Sequence, residues 1–402
     1  TNNTEDYFLG GRGLGAWVGA MSAQASDMSG WLLMGLPGVA YWCGLADAFW
    51  TAFGLALGTY LNWLIVSKRL RKYSYVAGNA ITIPDFFSNR FKENKKIIMT
   101  ISSLFILIFF AVYAGSCFVT CGKLFSSMFG ADYQLMMLIG ALIVITYTFL
   151  GGFLAESVSD FMQAILMVFA LVAVVIFGVV NAGGIGQVIQ NIKDIPGFLE
   201  FFNIAQPQVA ADGVQKIANG TPLFDKSTGY SLLSVASACA WGLGYFGMPQ
   251  VLLRFIAIRK SSELKRSRRI ATVWCVVSLA AAVFIGLIGR SLFPTEATLL
   301  TKSGAENVFV YMSQIFFHPL FAGLVMAGIL AATISSSDSY LLIASSAISK
   351  NLYQGVFKKN ATDKQVMRVS RITLLLVALV GIIIALDEKS VIFGIVSFAW
   401  AG

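Results

Sequence analysis

Charge is scarce in this sequence: Asp, Glu, Lys and Arg make up 12% of its 402 residues, while 57% are hydrophobic. A soluble domain carries about 25% charged residues, so the shortage excludes an ordinary soluble fold and points to an integral membrane protein. Sustained polar–apolar alternation is also missing, which argues against a membrane barrel and for helices. There is one histidine, His318, beside Pro319, and there are five cysteines, Cys43, Cys117, Cys121, Cys239 and Cys275, all in apolar segments. Only Cys117 and Cys121 share a helical face at i, i+4, without a third ligand. Small packing residues are therefore the better reading than a zinc site or a disulfide framework. No nucleophile–base pair accompanies the acidic residues, so an enzyme is not expected.

What the chain does contain is long apolar runs, each of a length that crosses a bilayer as a helix. Ten are predicted, over roughly 15–40, 42–67, 98–127, 133–151, 155–181, 231–257, 271–293, 319–346, 369–386 and 389–402. The formal charge of +9 is a topology signal. Three segments, SKRLRKYSYVAGNAITIPDFFSNRFKENKK, RFIAIRKSSELKRSRR and SKNLYQGVFKKNATDKQVMRVSR, hold 21 of the 29 Lys and Arg. They follow the second, sixth and eighth runs, so the positive-inside rule puts all three in the cytoplasm if the first run leads outward.

The segment 182–230 is then extracellular, with short helices expected, and divides the chain five spans to five. An odd number per half reverses the second half in the membrane, the parity of an inverted-topology repeat. The expected organisation is one polytopic domain, 1–402, with repeats over 15–181 and 231–402 and an incomplete last helix. Because the chain starts TNNTEDYFLGGRG and stops in the apolar run SFAWAG, further spans beyond both ends are expected.

The first span of each half is interrupted: Ser29-Gly30 and Pro37-Gly38 in one, Trp241-Gly-Leu-Gly-Tyr-Phe-Gly-Met-Pro249 in the other. Paired Gly/Pro-interrupted segments are the best sequence pointer to a transporter's binding site. The formal GxGxxG of Gly242, Gly244 and Gly247 lacks a βαβ context and is not read as dinucleotide-binding. Gly54-x-x-x-Gly58 is a helix-packing motif of low specificity, and Asn219-Gly220-Thr221 is a formal sequon of little weight.

Charge inside a bilayer costs at least ~2.5–3.5 kcal/mol per residue, so each intramembrane acid asks for a partner. Asp27, Asp160 and Asp338 lie in the first, fifth and eighth spans, none of which contains Lys or Arg; a bound cation is the expected counter-charge. Hydroxyls, carbonyls and carboxylates are hard ligands for Na⁺, Mg²⁺ or Ca²⁺. Thr333, Ser336, Ser337 and Tyr340 form one oxygen-bearing face of the eighth span; Ser335, Asp338 and Ser339 form another. A break at Ser29-Gly30 frees the carbonyls of Ala25 and Met28 for a cation and the following N–H groups for an anion. Two alternatives stand beside this: back-bonding of the hydroxyls to their own helix, and a proton path through Asp27 or Asp160. Trp31, Tyr113, Trp241 and Tyr245 lie near the breaks and suit a small, partly apolar zwitterion.

The stretches FLGGRGLGAWVGAMSAQASDMSGWLLMGLPG, TYTFLGGFLAESVSDFMQA, AWGLGYFGMPQVLLRFIAI and LAATISSSDSYLLIASSAIS resemble the sodium/solute symporter family, most closely its bacterial sodium/proline branch. The resemblance implies an all-α, five-plus-five inverted repeat of the leucine-transporter type, with broken first and sixth core helices. It implies Na⁺-driven uptake of L-proline in a bacterial cytoplasmic membrane, with no obligatory protein partner. It assigns Na⁺ to the carbonyls of Ala25, Met28 and Ala332 and the hydroxyls of Ser335 and Ser336. Asp27 matches the acid on which sodium coupling depends, by ligation or by shaping the break. Asp160 matches an acid at a second ion position or exit route, where Asp338 and Ser339 also fall; some relatives have a hydroxyl in place of Asp338. Ser29, Gly30, Trp31, Tyr113, Trp241 and Tyr245 match the substrate pocket, Pro249 supports the second break, and Arg12 matches a coupling position at the cytoplasmic entrance. Family members carry one more helix before the GGR loop and more after the ten-span core. Rival readings are a symporter of pantothenate, sugar, acetate or sialic acid, and the membrane sensor domain of a signalling protein.

Overall fold

The computed structural model describes residues 4–401; residues 1–3 and the last residue of the predicted tenth span, 402, lie outside them. Eight helices among the described residues are long and apolar enough to cross a membrane, and two shorter apolar helices, Trp31–Cys43 and Ile392–Ala401, accompany them. With the helix Ala16–Ala25 preceding Trp31–Cys43, these make ten spans in the expected order.

The first span is broken where the sequence places its Ser-Gly pair. Helix Ala16–Ala25 ends, the backbone leaves helical geometry between residues 26 and 29, and a wide π-turn, Trp31–Gly35, leads into Leu36–Cys43. Pro37-Gly38, expected as a second interruption, does not break the helix. Pro37 is its second residue, where a missing N–H is tolerated, and the π-turn takes up the misfit. Gly38 is small for contact: a Cβ there would lie 2.8 Å from the Cα of Glu306.

The sixth span repeats the pattern. Helix Leu232–Gly244 stops, residues 245–248 turn, and Pro249 opens the second half, Pro249–Ala257, from the first helical position that proline favours. Two glycines of its GxGxxG, Gly242 and Gly244, are packing surfaces. A Cβ on Gly242 would sit 2.0 Å from the carbonyl oxygen of Gly54, and one on Gly244 would sit 2.1 Å from the indole nitrogen of Trp400. The Gly54-x-x-x-Gly58 motif is thus matched by a glycine on the facing helix, which lets the second and sixth spans touch backbone to backbone.

Several helices overrun the predicted spans. The third is Ile97–Phe129, the seventh begins at Leu264, the ninth at Asp363, and the eighth, Pro319–Ser346, continues as a π-helix through Ala347–Phe357. Hydropathy marks only the apolar part of a helix; the extra turns carry Lys and Arg that reach water. Segment 182–230 contains the expected short helix, Ile185–Ile192, and two two-stranded antiparallel sheets that were not expected, a short hairpin and an outer pair that encloses it. The hairpin turns on Asn219 and Gly220, with φ of 51° and 74°, so the formal sequon is a tight turn.

Candidate functional site

The first break meets the eighth span through one carbonyl. Ser335 Oγ donates to the Ala25 carbonyl at 2.8 Å and Ser336 Oγ to the same oxygen at 3.1 Å. Ser335 Oγ also lies 3.1 Å from the Ala332 carbonyl. Ala25, Met28, Ala332, Ser335 and Ser336 are all fully buried. Four of the five predicted Na⁺ ligands therefore share one hydrogen-bonded cluster of hard oxygens, the donor set that suits a sodium ion. The hydroxyls of Thr333 and Ser337 do otherwise: they bond back to Ile329 at 2.8 Å and to Thr333 at 2.5 Å on their own helix. The expected oxygen face of the eighth span thus divides, and back-bonding describes half of it.

Asp27 holds the break together from both of its ends. Its carboxylate accepts from Tyr245 Oη at 2.8 Å and Gln250 Nε2 at 3.1 Å, one donor from the second break and one from the helix after it. Its carbonyl accepts from Trp31 Nε1 at 3.2 Å and from the hydroxyls of Tyr113 and Tyr340, each at 3.3 Å. The backbone N–H of Ser29, expected to face a substrate carboxylate, also donates to this carbonyl, at 3.0 Å. All of Asp27's side-chain partners are neutral.

Asp160 departs from expectation. Its predicted counter-charge was a bound cation; the structure supplies Arg254, whose Nη2 lies 3.1 Å from Asp160 Oδ2 and also pairs with Glu156. Arg254 was counted among the cytoplasmic basic residues, yet it is fully buried on the inner half of the sixth span. Its Nε donates to Ser22 Oγ at 3.0 Å, its Nη1 to the Gln250 carbonyl at 3.1 Å, and its Nη2 to Ser339 Oγ at 2.9 Å. Ser22 Oγ in turn donates to Asp160 Oδ2 at 2.7 Å. Asp338 lies near this cluster on the eighth span: Oδ1 accepts the Ser339 N–H at 2.7 Å, while Oδ2 is buried without a hydrogen-bond partner. Gln250 links the two acids, one end on Asp27 and the other on Arg254. Sequence reasoning missed Glu156, Arg254, Gln250 and Ser22. Spacing could have found the first, since Glu156 and Asp160 share a helical face at i, i+4.

The aromatic residues form two groups. Trp31 and Trp241 meet edge to face with centroids 6.1 Å apart, Trp241 stacks on Phe393 at 5.0 Å, and Tyr245 meets Trp400 at 5.2 Å. Tyr113 stacks on Tyr340 at 4.1 Å. Phe393 and Ser397 line two cavities of about 400 and 520 Å³ that open toward the segment 182–230. Gly30 is pressed on the third span: a Cβ there would lie 2.2 Å from Thr120 Oγ1.

Arg12 closes the opposite end. Held at a φ of 56°, it donates to Ser74 Oγ, the Ala80 carbonyl and the Ile256 carbonyl at 3.1, 3.0 and 3.2 Å. Burial, then the neighbouring Arg71, push its guanidinium below the ordinary arginine value. Beside it, Leu14 N donates to the Ala257 carbonyl at 3.1 Å, and Arg259 N to the Leu14 carbonyl at 2.9 Å. The start of the first span is thereby tied to the end of the sixth.

Two broken helices back to back, a hard-oxygen cluster at the first break and aromatics around it define a polytopic transporter of the five-plus-five inverted-repeat class. The same fold is found in a substrate-bound, outward-open Na⁺-coupled sialic acid symporter: TM-score 0.72, 18% identity, covering 96% of this chain and 76% of that one. Residues 7–402 match the model of the Sodium:solute symporter family, and the chain belongs to that family. An osmoregulated proline transporter of Bacillus subtilis, OpuE, is 39% identical over 403 residues, spanning all of this chain and 76% of its own length. A sodium/proline symporter of Escherichia coli is 40% identical over 404 residues, with the same coverage.

Proposed function

We infer that this protein is a secondary active transporter, multi-pass in a bacterial cytoplasmic membrane, that couples inward Na⁺ flow to uptake of L-proline by alternating access. The observation that carries the coupling is the single Ala25 carbonyl held by both Ser335 and Ser336 across the first break. The choice of proline rests on the full-length likeness to proline transporters.

The proposed ion site comprises the carbonyls of Ala25, Met28 and Ala332 and the hydroxyls of Ser335 and Ser336. A Na⁺ there takes oxygen lone pairs from the first and eighth spans together, and so fixes the break. Asp27, bonded only to neutral donors on its carboxylate, contributes the negative charge that favours a cation nearby while shaping the break. Asp160 shares one guanidinium with Glu156, and Asp160 Oδ1, Glu156 Oε2 and Asp338 Oδ2 are all buried without a hydrogen-bond partner, so a second ion would take its oxygens from this group of acids. The substrate lies against Ser29, Gly30 and Trp31, with Tyr113, Trp241 and Tyr245 around it, Pro249 supporting the second break. Arg12 holds the cytoplasmic closure. The two repeats are taken as 15–181 and 231–402, with 182–230 outside the cell.

Coupling is reciprocal: Na⁺ raises proline affinity by the factor by which proline raises Na⁺ affinity. A membrane potential of about 100 mV adds about 2.3 kcal/mol per charge moved. Labelled proline uptake into proteoliposomes tests the reading, with an inward Na⁺ gradient set against K⁺ and proton gradients. Saturable uptake with Na⁺ alone is expected; uptake driven by protons would retain the pocket and overturn the ion site. A competition panel of pantothenate, sugars, acetate and sialic acid should leave proline uptake unchanged.

A further inference from the structure

Between the inner half of the first span, the fifth span and the seventh span runs an apolar groove of about 510 Å³, open to the side of the molecule. Its size is that of a small-ligand site. The wall from the seventh span is ordered by depth. Residues 266, 270, 273 and 277 recur at i+4, i+3 and i+4, so Arg266, Ile270, Val273 and Val277 share one helical face, with Arg269 at its edge. The charged residues stand at the cytoplasmic end, where phospholipid headgroups lie, and the apolar ones about 5–17 Å deeper, at acyl-chain depth. Trp17 forms the facing wall, 49% exposed, with the Arg266 guanidinium 5.8 Å from its ring. Trp274 closes the floor, its indole N–H donating to the Ala164 carbonyl at 3.0 Å.

The cations of this turn have no acid within ion-pair distance among the described residues. Lys265, Arg266 and Arg269 are exposed, and the ion pairs among the described residues include none of the three. An indole at headgroup level, unpaired guanidinium groups beside it and an apolar channel below match the parts of an anionic phospholipid.

We propose that this groove is a binding site for an anionic phospholipid of the cytoplasmic leaflet, its phosphate on Arg266 and Arg269 and one acyl chain along Val273 and Val277. The inner half of the first span, which ends at Ala25, is one wall of the site. Bound lipid therefore bears on the half-helix that carries the shared carbonyl.

The test uses spin-labelled lipids with the full chain in nanodiscs, comparing phosphatidylglycerol with phosphatidylcholine. Each basic residue near an anionic surface is worth a factor of about five, so the wild-type protein should favour phosphatidylglycerol several-fold. Arg266→Gln/Arg269→Gln should reduce that preference to near one, and Arg266→Lys/Arg269→Lys, which keeps the topology charge, should retain most of it. Equal association of the two lipids with wild-type protein, or a preference unchanged in the Gln variant, would overturn the proposal. So would exclusion of both labels by a second protein copy seated in the groove. The readout is lipid contact, independent of what the protein transports.

Discussion

Asp27 and Asp160 are the same kind of residue, both fully buried, both at or beside a broken helix, and both hydrogen-bonded to the sixth span. Their partners differ in charge. Asp27 receives a phenol and an amide, so no positive charge within the protein answers its carboxylate. Asp160 receives a guanidinium shared with Glu156, so its charge is met in part within the protein. An acid of the first kind suits a passing cation; one of the second kind locks helices together. Burial alone does not separate the two roles, and the sign of the nearest donor does.

The largest expected effect comes from breaking the locked pair. Arg254→Gln strands two buried carboxylates and should cost about 3–5 kcal/mol of stability, read as thermal unfolding in detergent. Adding Glu156→Gln should recover part of the loss. A neutral Arg254→Gln would erase the distinction between the two acids.

Asp27→Asn keeps the shape and removes the charge, so the protein should fold with little loss. Removing a unit charge from the surroundings of an ion site is worth on the order of 2 kcal/mol at an effective dielectric of about 20. Half-saturation of uptake by Na⁺ should accordingly rise about thirtyfold. An unchanged Na⁺ dependence would assign Asp27 to architecture alone.

Ser336→Ala removes one of the two hydroxyls on the Ala25 carbonyl. Na⁺ activation should weaken by about tenfold, near 1–1.5 kcal/mol, while proline affinity at saturating Na⁺ stays close to that of the wild type. The smallest effect is expected one turn away. Thr333→Val removes a hydroxyl bonded only to its own helix, and the Na⁺ curve should shift by less than about twofold. Equal shifts in the two variants would place the ion elsewhere on the eighth span.

The fold was largely legible because it rests on properties a bilayer imposes on composition. Apolar run length, loop charge and the paired Gly/Pro interruptions all survive in one dimension. Ser335, Ser336 and Ala25 were placed together by family resemblance: helix-end physics freed the Ala25 carbonyl, while spacing alone put the two serines on different faces of the eighth span. Arg254 was not, because a lone arginine at the end of an apolar run reads as a headgroup-level charge; only the folded chain brings it beside Glu156 and Asp160. Pro37 misled for the opposite reason: a proline near the start of a helix is tolerated, and a π-turn upstream is silent in the sequence. Gln250 carries no signal of its own, being one amide in a helix.

The most direct measurement is equilibrium binding of labelled proline to the purified protein across a range of Na⁺ concentrations, in wild type and in Ser336→Ala. The account predicts that proline affinity rises with Na⁺ to a plateau. In Ser336→Ala the same plateau should be reached only at about tenfold higher Na⁺. Proline binding that is indifferent to Na⁺, or a Ser336→Ala curve that overlies the wild type, would contradict a coupling site at Ala25, Ser335 and Ser336.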